Sequence, residues 1–354
     1  MAMIRHYDGE VAEEEESAEA MGGARGRSRV WQRVFLCAFC SLCALCLSCR
    51  KRPTEIAVFY ASSLSAVLGD AGEAFGKTNP QFRLRLEPSG SQVAARKVTE
   101  LGMRADIVAV ADASLITKMM IPSHAAWNAV FATNEIVLAH KDHSKFTDQI
   151  TVDNWPEILT RAGVRLARGD PDTAPIGYLT LMVWQLAQSS GRYGAAVAGL
   201  SAKLMGQCAK EHVTHDEAEL LSLLESRAVD YAFLFRSTAE DHHLKILTLP
   251  PEINLSRQDM AEHYATAAVE IRMQQGQGKA RITGAPVTYG LTIPANAPHA
   301  EAAARFVAFF VGEPGRRLLE RRGFHAMPHA ECSPCRGLPT ALASVVAPAS
   351  VNRP

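Results

Sequence analysis

The sequence predicts an α/β fold in two lobes, each a mainly parallel sheet flanked by helices, with two hinge crossovers between them. Two observations carry that prediction. Short apolar or alternating runs recur between helix-like segments from residue 56 to residue 322, as they do where strands alternate with helices. The composition is 47% hydrophobic and 21% charged over 354 residues, which is enough apolar material for two cores of ordinary size.

Taken in order, residues 56–60 (IAVFY) form the first expected strand and 65–77 its helix. Residues 82–87 alternate as a strand, 91–101 read as a helix, and the fully apolar 107–110 as a buried strand. A strand at 134–140, a short helix at 155–162, a strand at 164–167 and a helix at 177–188 follow. Then come a helix at 215–226 and strands at 230–235, 245–249 and 266–271. The last expected elements are a strand at 286–293 and helices at 300–311 and 314–322. The first of these helices carries Phe306, Val307, Phe309 and Phe310 at the spacing of a core-facing stripe. One lobe is therefore assigned 56–133 plus 285–330 and the other 134–284. The Pro-, Ala- and Ser-rich residues 331–354 are expected to form a tail outside the fold.

The N-terminal region is of a different kind. Arg25, Arg27, Arg29 and Arg33 precede an apolar run at 34–47, which ends at Ser48, Cys49, Arg50 and Lys51. A charged segment, an apolar stretch too short to span a bilayer comfortably and a small residue before a cysteine read as a bacterial lipoprotein signal. Residues 1–48 are the expected signal region, Cys49 the lipidated residue and 49–55 a tether. An uncleaved anchor helix is the alternative. The acidic stretch from Glu10 to Glu19 suits a signal poorly, so Met21 is an alternative start.

Equal numbers of basic and acidic side chains, 37 of each, give no broad positive field for nucleic acid. The sequence has no G-x-S-x-G elbow, H-E-x-x-H pair, P-loop or G-x-G-x-x-G loop. Neither an enzyme nor a bound cofactor is expected. Three strand-to-helix junctions do stand out: Ser62 and Ser63 within 60–65, Ser91 within 88–92, and 170–178. Unpaired amides at a helix start carry partial positive charge, and serine hydroxyls add donors, so each junction is half a socket for an oxyanion. Ordinary helix capping accounts for any one of them; three together favour binding.

The runs at 90–102, 105–112, 134–139, 170–178, 230–233, 249–255 and 287–290 occur in an order that resembles the tungstate/molybdate-binding proteins of ABC importers. The resemblance covers roughly 55–328. It implies a type II periplasmic-binding-protein fold, a small tetrahedral oxyanion (molybdate or tungstate first) held between two lobes, and delivery to an ABC permease with its ATPase. A monomer is expected, and the N-terminal signal places it on the periplasmic side, held at the membrane through a lipid on Cys49. Carried over by position, Ser63 and Ser91 are oxyanion-binding serines, and Ala174, Gly177 and Tyr178 lie in the binding motif of the other lobe. Ser62 stands where glycine is usual and still offers a backbone donor.

Two positions depart from the family. Acidic residues that approach the metal centre of the bound anion are replaced by Ala174 and Leu234, neither of which can donate an oxygen ligand. Asp170 or Asp172 could substitute. Otherwise the site recognises its anion by hydrogen bonds alone, and sulfate becomes a competing ligand. An exported sensor or adhesin-like protein with a degenerate site is the alternative function. His325, His329, Cys332 and Cys335 have spacing for zinc, but a small disulfide or free thiols at Cys332 and Cys335 are expected instead. His212, His215, His242 and His243 read as surface histidines.

Overall fold

The structure is a computed structural model that describes residues 52–272 and 278–349. The expected signal region and Cys49 lie outside the described residues. Among the described residues, no helix is long and apolar enough to cross a membrane.

The first lobe opens with β1 (Thr54–Ala61), α1 (Ser65–Thr78), β2 (Phe82–Ser89), α2 (Ser91–Thr99) and β3 (Ile107–Val110). β1 pairs in parallel with β2 and β3, so the carboxyl ends of β1 and β2 lie side by side. In α1 the residues Val67, Leu68, Ala71 and Phe75 are buried at helical spacing. Phe75 meets Phe306 and Phe309 at ring-centre distances of 5.4 and 5.5 Å, which places the stripe of α9 (Ala300–Val311) in this core.

β4 (Trp127–Thr133) leaves the first sheet and β5 (Ile136–His140) enters the second only two residues on. The second lobe continues through α3 (Trp155–Leu159), β6 (Leu166–Gly169), α4 (Pro175–Ser189), α5 (Leu200–Gln207), β7 (Val213–Thr214) and α6 (Glu217–Glu225). It then adds β8 (Tyr231–Phe235), α7 (Arg236–Asp241), β9 (Lys245–Thr248), α8 (Ala261–Tyr264), β10 (Ala268–Arg272) and β11 (Lys279–Thr283). Its sheet runs β7-β6-β8-β5-β9, with β10 and β11 forming a separate hairpin.

The chain returns at β12 (Thr288–Thr292), beside β3 and β4, followed by α9, α10 (Glu313–Arg321), β13 (His325–Cys335) and β14 (Val346–Pro348). The completed first sheet runs β14-β13-β4-β12-β3-β1-β2. The outgoing and returning strands lie together, and the Asn134 amide donates to Val287 O at 3.2 Å. The strands next to the crossovers run antiparallel: β12 against β3 and β4, and β5 against β8 and β9. Parallel pairing holds for β2-β1-β3, β13-β14 and β7-β6-β8.

The last segment corrects the sequence reading. Residues 331–349 join the sheet through β13 and β14 instead of forming a tail. β13 carries Pro328 and Pro334, which cannot donate to a ladder; its register against β4 breaks between Ala326 and Glu331 and again between Cys332 and Cys335. A proline-rich strand with bulges resembles a loop in sequence. β4 escaped notice for the opposite reason: both its faces are largely covered, so polar and apolar residues do not alternate.

Candidate functional site

Between the lobes lies a small cavity of about 10 Å³. Ala61, Ser62, Ser63, Ser89, Gly90, Ser91 and Ala111 line it from the first lobe; Ala174, Pro175, Ile176, Glu217 and Phe235 line it from the second. The parallel register explains the first group. β1 and β2 both end at this point, so the turn after β1 and the helix after β2 open into the same space, as is usual at the strand ends of open α/β sheets.

Ser62 and Ser63 occupy a one-turn 3₁₀ helix, Ser62–Leu64, directly after β1. The fully buried Tyr289 donates its hydroxyl to Ser63 Oγ at 3.2 Å. Burial holds the Tyr289 phenol well above its ordinary pKa, so it remains a neutral donor. Ser91 is fully buried at the start of α2, and its Oγ accepts the Ala111 amide at 3.0 Å. That acceptor role leaves the Ser91 proton for another partner. The Ser89 hydroxyl is buried with no protein partner.

The second lobe's half is different. Ala174 is the extended residue before α4, and Pro175 at the first helical position contributes no amide. Glu217, at the start of α6, is 3% exposed. The Phe235 amide donates to its Oε1 at 2.8 Å, and the Thr238 hydroxyl lies 3.0 Å from Oε2. Burial pushes the Glu217 carboxyl up to about 8, against the opposing pull of those two hydrogen bonds.

Ser62, Ser63, Ser91 and Ala174 are thus brought together, whereas Gly177 and Tyr178 are not among the residues that line the cavity. A Cβ on Gly177 would meet Asp170 O at 2.6 Å, so this glycine lets α4 approach the 170–173 loop. Tyr178 donates to Asp112 Oδ2 at 2.5 Å, a bond from one lobe to the other. Asp170 and Asp172 are also placed elsewhere. Asp170 Oδ1 accepts the Asp172 amide at 2.9 Å. The Asp172 carboxylate accepts the Arg272 amide at 2.7 Å and Nε at 2.8 Å. Leu234 is fully buried within β8 and is not a lining residue; its neighbour Phe235 is. Successive strand residues point to opposite faces, which explains the difference.

The lobes touch on both sides of the cavity. From α2, Gln92 Nε2 donates to Pro171 O at 2.9 Å and Arg96 Nη1 to Asp172 O at 2.8 Å. On the other side Arg322 holds Asp70 of α1 at 2.8 Å and also donates to Asp241 of α7. A Cβ on Gly90 would fall 2.2 Å from Thr173 O and 2.8 Å from His215 O. The lobes are therefore closed upon one another. Cys332 and Cys335 form a disulfide, which takes the two sulfurs out of the zinc spacing. Among the described residues no group of three or more His, Cys, Asp or Glu side chains could hold a metal ion.

Sequence reasoning missed Glu217, Ser89 and the pairing of Tyr289 with Ser63. Tyr289 lies in the recognisable run 287–290, a signal that could have drawn attention to its hydroxyl. For Glu217 the local pattern gives only a helix start after Asp216.

The sequence pattern of the bacterial extracellular solute-binding proteins matches residues 56–325. The chain belongs to that family. It is 37% identical over 269 residues to a solute-binding protein of Petrotoga mobilis, covering 76% of this chain and 83% of the relative. It is 35% identical over 310 residues to the molybdate/tungstate-binding protein WtpA of Pyrococcus abyssi, covering 81% of this chain and 88% of that one. Among solved structures, the periplasmic molybdate-binding protein of Azotobacter vinelandii shares the fold, with a TM-score of 0.56 and 17% identity over 77% of this chain and all of that one. The fold is the two-lobed type II periplasmic-binding architecture, and these relatives are solute-binding proteins rather than enzymes.

Proposed function

We propose that the protein is the receptor of an ABC importer for a tetrahedral oxyanion, molybdate or tungstate first, and that it delivers this anion to a permease driven by an ATPase. One observation carries the reading: Ser62, Ser63, Ser89 and Ser91, from two adjacent strand ends, line one cavity that the other lobe closes. Neutral donors of this kind hold an oxyanion without a cation. The relative from Pyrococcus abyssi, named for molybdate and tungstate, supports the choice of anion.

In this mechanism the lobes open at the paired crossovers and the anion settles against Ser62, Ser63 and Ser91. Closure then brings Ala174, Pro175 and Ile176 over it. The ligand favours the closed form by its higher affinity for that form. A lipid on Cys49 would hold the receptor at the membrane beside its permease. With alanine at position 174 and no acidic residue at 234, selectivity between molybdate and sulfate would come from cavity size.

Calorimetric titration of residues 50–354 with tungstate, molybdate, sulfate and phosphate in turn tests the reading. Tight binding of tungstate and molybdate is expected. Binding of none by demonstrably folded protein would overturn it and favour an exported protein with a degenerate site.

A further inference from the structure

Glu217 is the one ionisable side chain among the residues lining the cavity, and that lining includes no lysine or arginine. Its carboxyl is bonded to uncharged partners, the Phe235 amide and the Thr238 hydroxyl. α6 packs against β6, β7, β8 and the Ser62–Leu64 turn. β6 carries Arg168, whose guanidinium donates to Gly169 O at 2.9 Å. β8 carries Tyr231, whose hydroxyl donates to Lys145 O at 2.5 Å. β7 has no titratable group. Nearby, Asp241 of α7 is paired with Arg322, and Tyr289 of β12 donates to Ser63. On α6 itself, Asp216 caps the helix by accepting the Glu219 amide at 3.0 Å, and Glu219 Oε2 lies 3.3 Å from His215 Nδ1. Arg168 keeps a buried Nε without a hydrogen-bond partner, but it is not among the residues lining the cavity.

This arrangement matters if the cavity holds an anion, the reading on which the following step rests. A dianion and an ionised carboxylate enclosed together, with no cation between them, repel strongly because little water screens them. A carboxylic acid at the same place is instead a hydrogen-bond donor. We propose that Glu217 binds the oxyanion as a neutral acid, so that the closed protein encloses the anion together with one carboxyl proton.

The buried carboxyl already favours the protonated form, with its pKa raised to about 8. Below that pH the proton is in place before the anion arrives. Above it, the O–H bond of Glu217 must form as the anion binds, with the proton taken from solvent or buffer. Affinity is therefore full at low pH and falls as pH rises through the Glu217 pKa.

The test is titration with molybdate at about pH 6.5 and about pH 9.5, each in two buffers of different ionisation enthalpy. From a pKa of about 8, affinity is expected to fall about 30-fold across that range, with uptake approaching one proton per anion at the upper end. E217Q, whose amide donates at every pH, is expected to bind several-fold more weakly at the lower pH, to show no slope and to take up no proton. Binding that is flat with pH and takes up no proton in the wild type would overturn the proposal; so would an unchanged slope in E217Q. Those results would leave the anion receptor standing. Folded wild-type protein that binds molybdate at neither pH would remove the receptor reading, and the role of Glu217 with it.

Discussion

The two halves of the cavity are built by different rules. The first lobe supplies Ser62, Ser63, Ser89 and Ser91, held by short-range geometry: two parallel strands end together and each is followed at once by a helical turn. The second lobe supplies Ala174, Pro175, Ile176 and Phe235, an apolar cover with one buried acid. If the cavity takes an anion as proposed, a site assembled this way binds mainly with one half and encloses with the other. Most donors come from the first half, Glu217 is the one proposed for the second, and the apolar cover strengthens their contacts by excluding water.

If that division holds, the largest effect comes from preventing enclosure without touching a donor. Gly90 has ordinary extended backbone angles, φ −65° and ψ 149°, which alanine adopts without strain. Its added methyl would meet Thr173 O and His215 O, both in the other lobe. Gly90→Ala should fold and melt like the wild type, because the clash exists only when the lobes are closed. Overpacking of this kind costs ~1–3 kcal/mol, up to about a hundredfold in molybdate affinity. A normal Kd by calorimetry would mean that the anion is held without full closure.

Removing a donor comes next. Ser91→Ala deletes the hydroxyl that accepts the Ala111 amide and has its proton free for a ligand. A hydrogen bond to a charged group contributes about 1.5–3 kcal/mol, so affinity should drop roughly 10- to 100-fold while the melting temperature changes by only a few degrees. Unchanged affinity would take Ser91 out of the site and shift the binding role toward Ser62 and Ser63.

The contrast between the halves also explains what could be read from the sequence. Ser62, Ser63 and Ser91 were legible because strand-end and helix-start chemistry is local: small polar residues directly after an apolar run reveal both the fold and its donors. The fold class and most elements up to α10 followed from the same local periodicity. Glu217 was not legible. A glutamate in the first helical turn after Asp216 looks like an ordinary solvated residue. Only the packing of α6 against β8 and the Ser62–Leu64 turn buries it beside the serines. Tyr178 illustrates the same limit in reverse, since its motif drew attention while its hydroxyl is engaged by Asp112, 66 residues away in sequence.

Tyr178 therefore gives the finest test of the division. Its bond to Asp112 joins the lobes beside a second, larger cavity, where Asp112 also accepts the Ser114 amide at 2.9 Å. If Tyr178 acts only by helping to hold the lobes closed, Tyr178→Phe and Asp112→Ala should each weaken molybdate binding by a few-fold, in keeping with ~0.5–1.5 kcal/mol for one hydrogen bond. The double variant should then be no weaker than the weaker single one, since both changes remove the same bond. If the tyrosine instead touches the anion, Tyr178→Phe alone should lose affinity, and Asp112→Ala should leave it near the wild-type value. The first pattern leaves Glu217 as the second lobe's only proposed donor and gives Tyr178 to closure; the second adds a donor beside Glu217 and narrows the asymmetry.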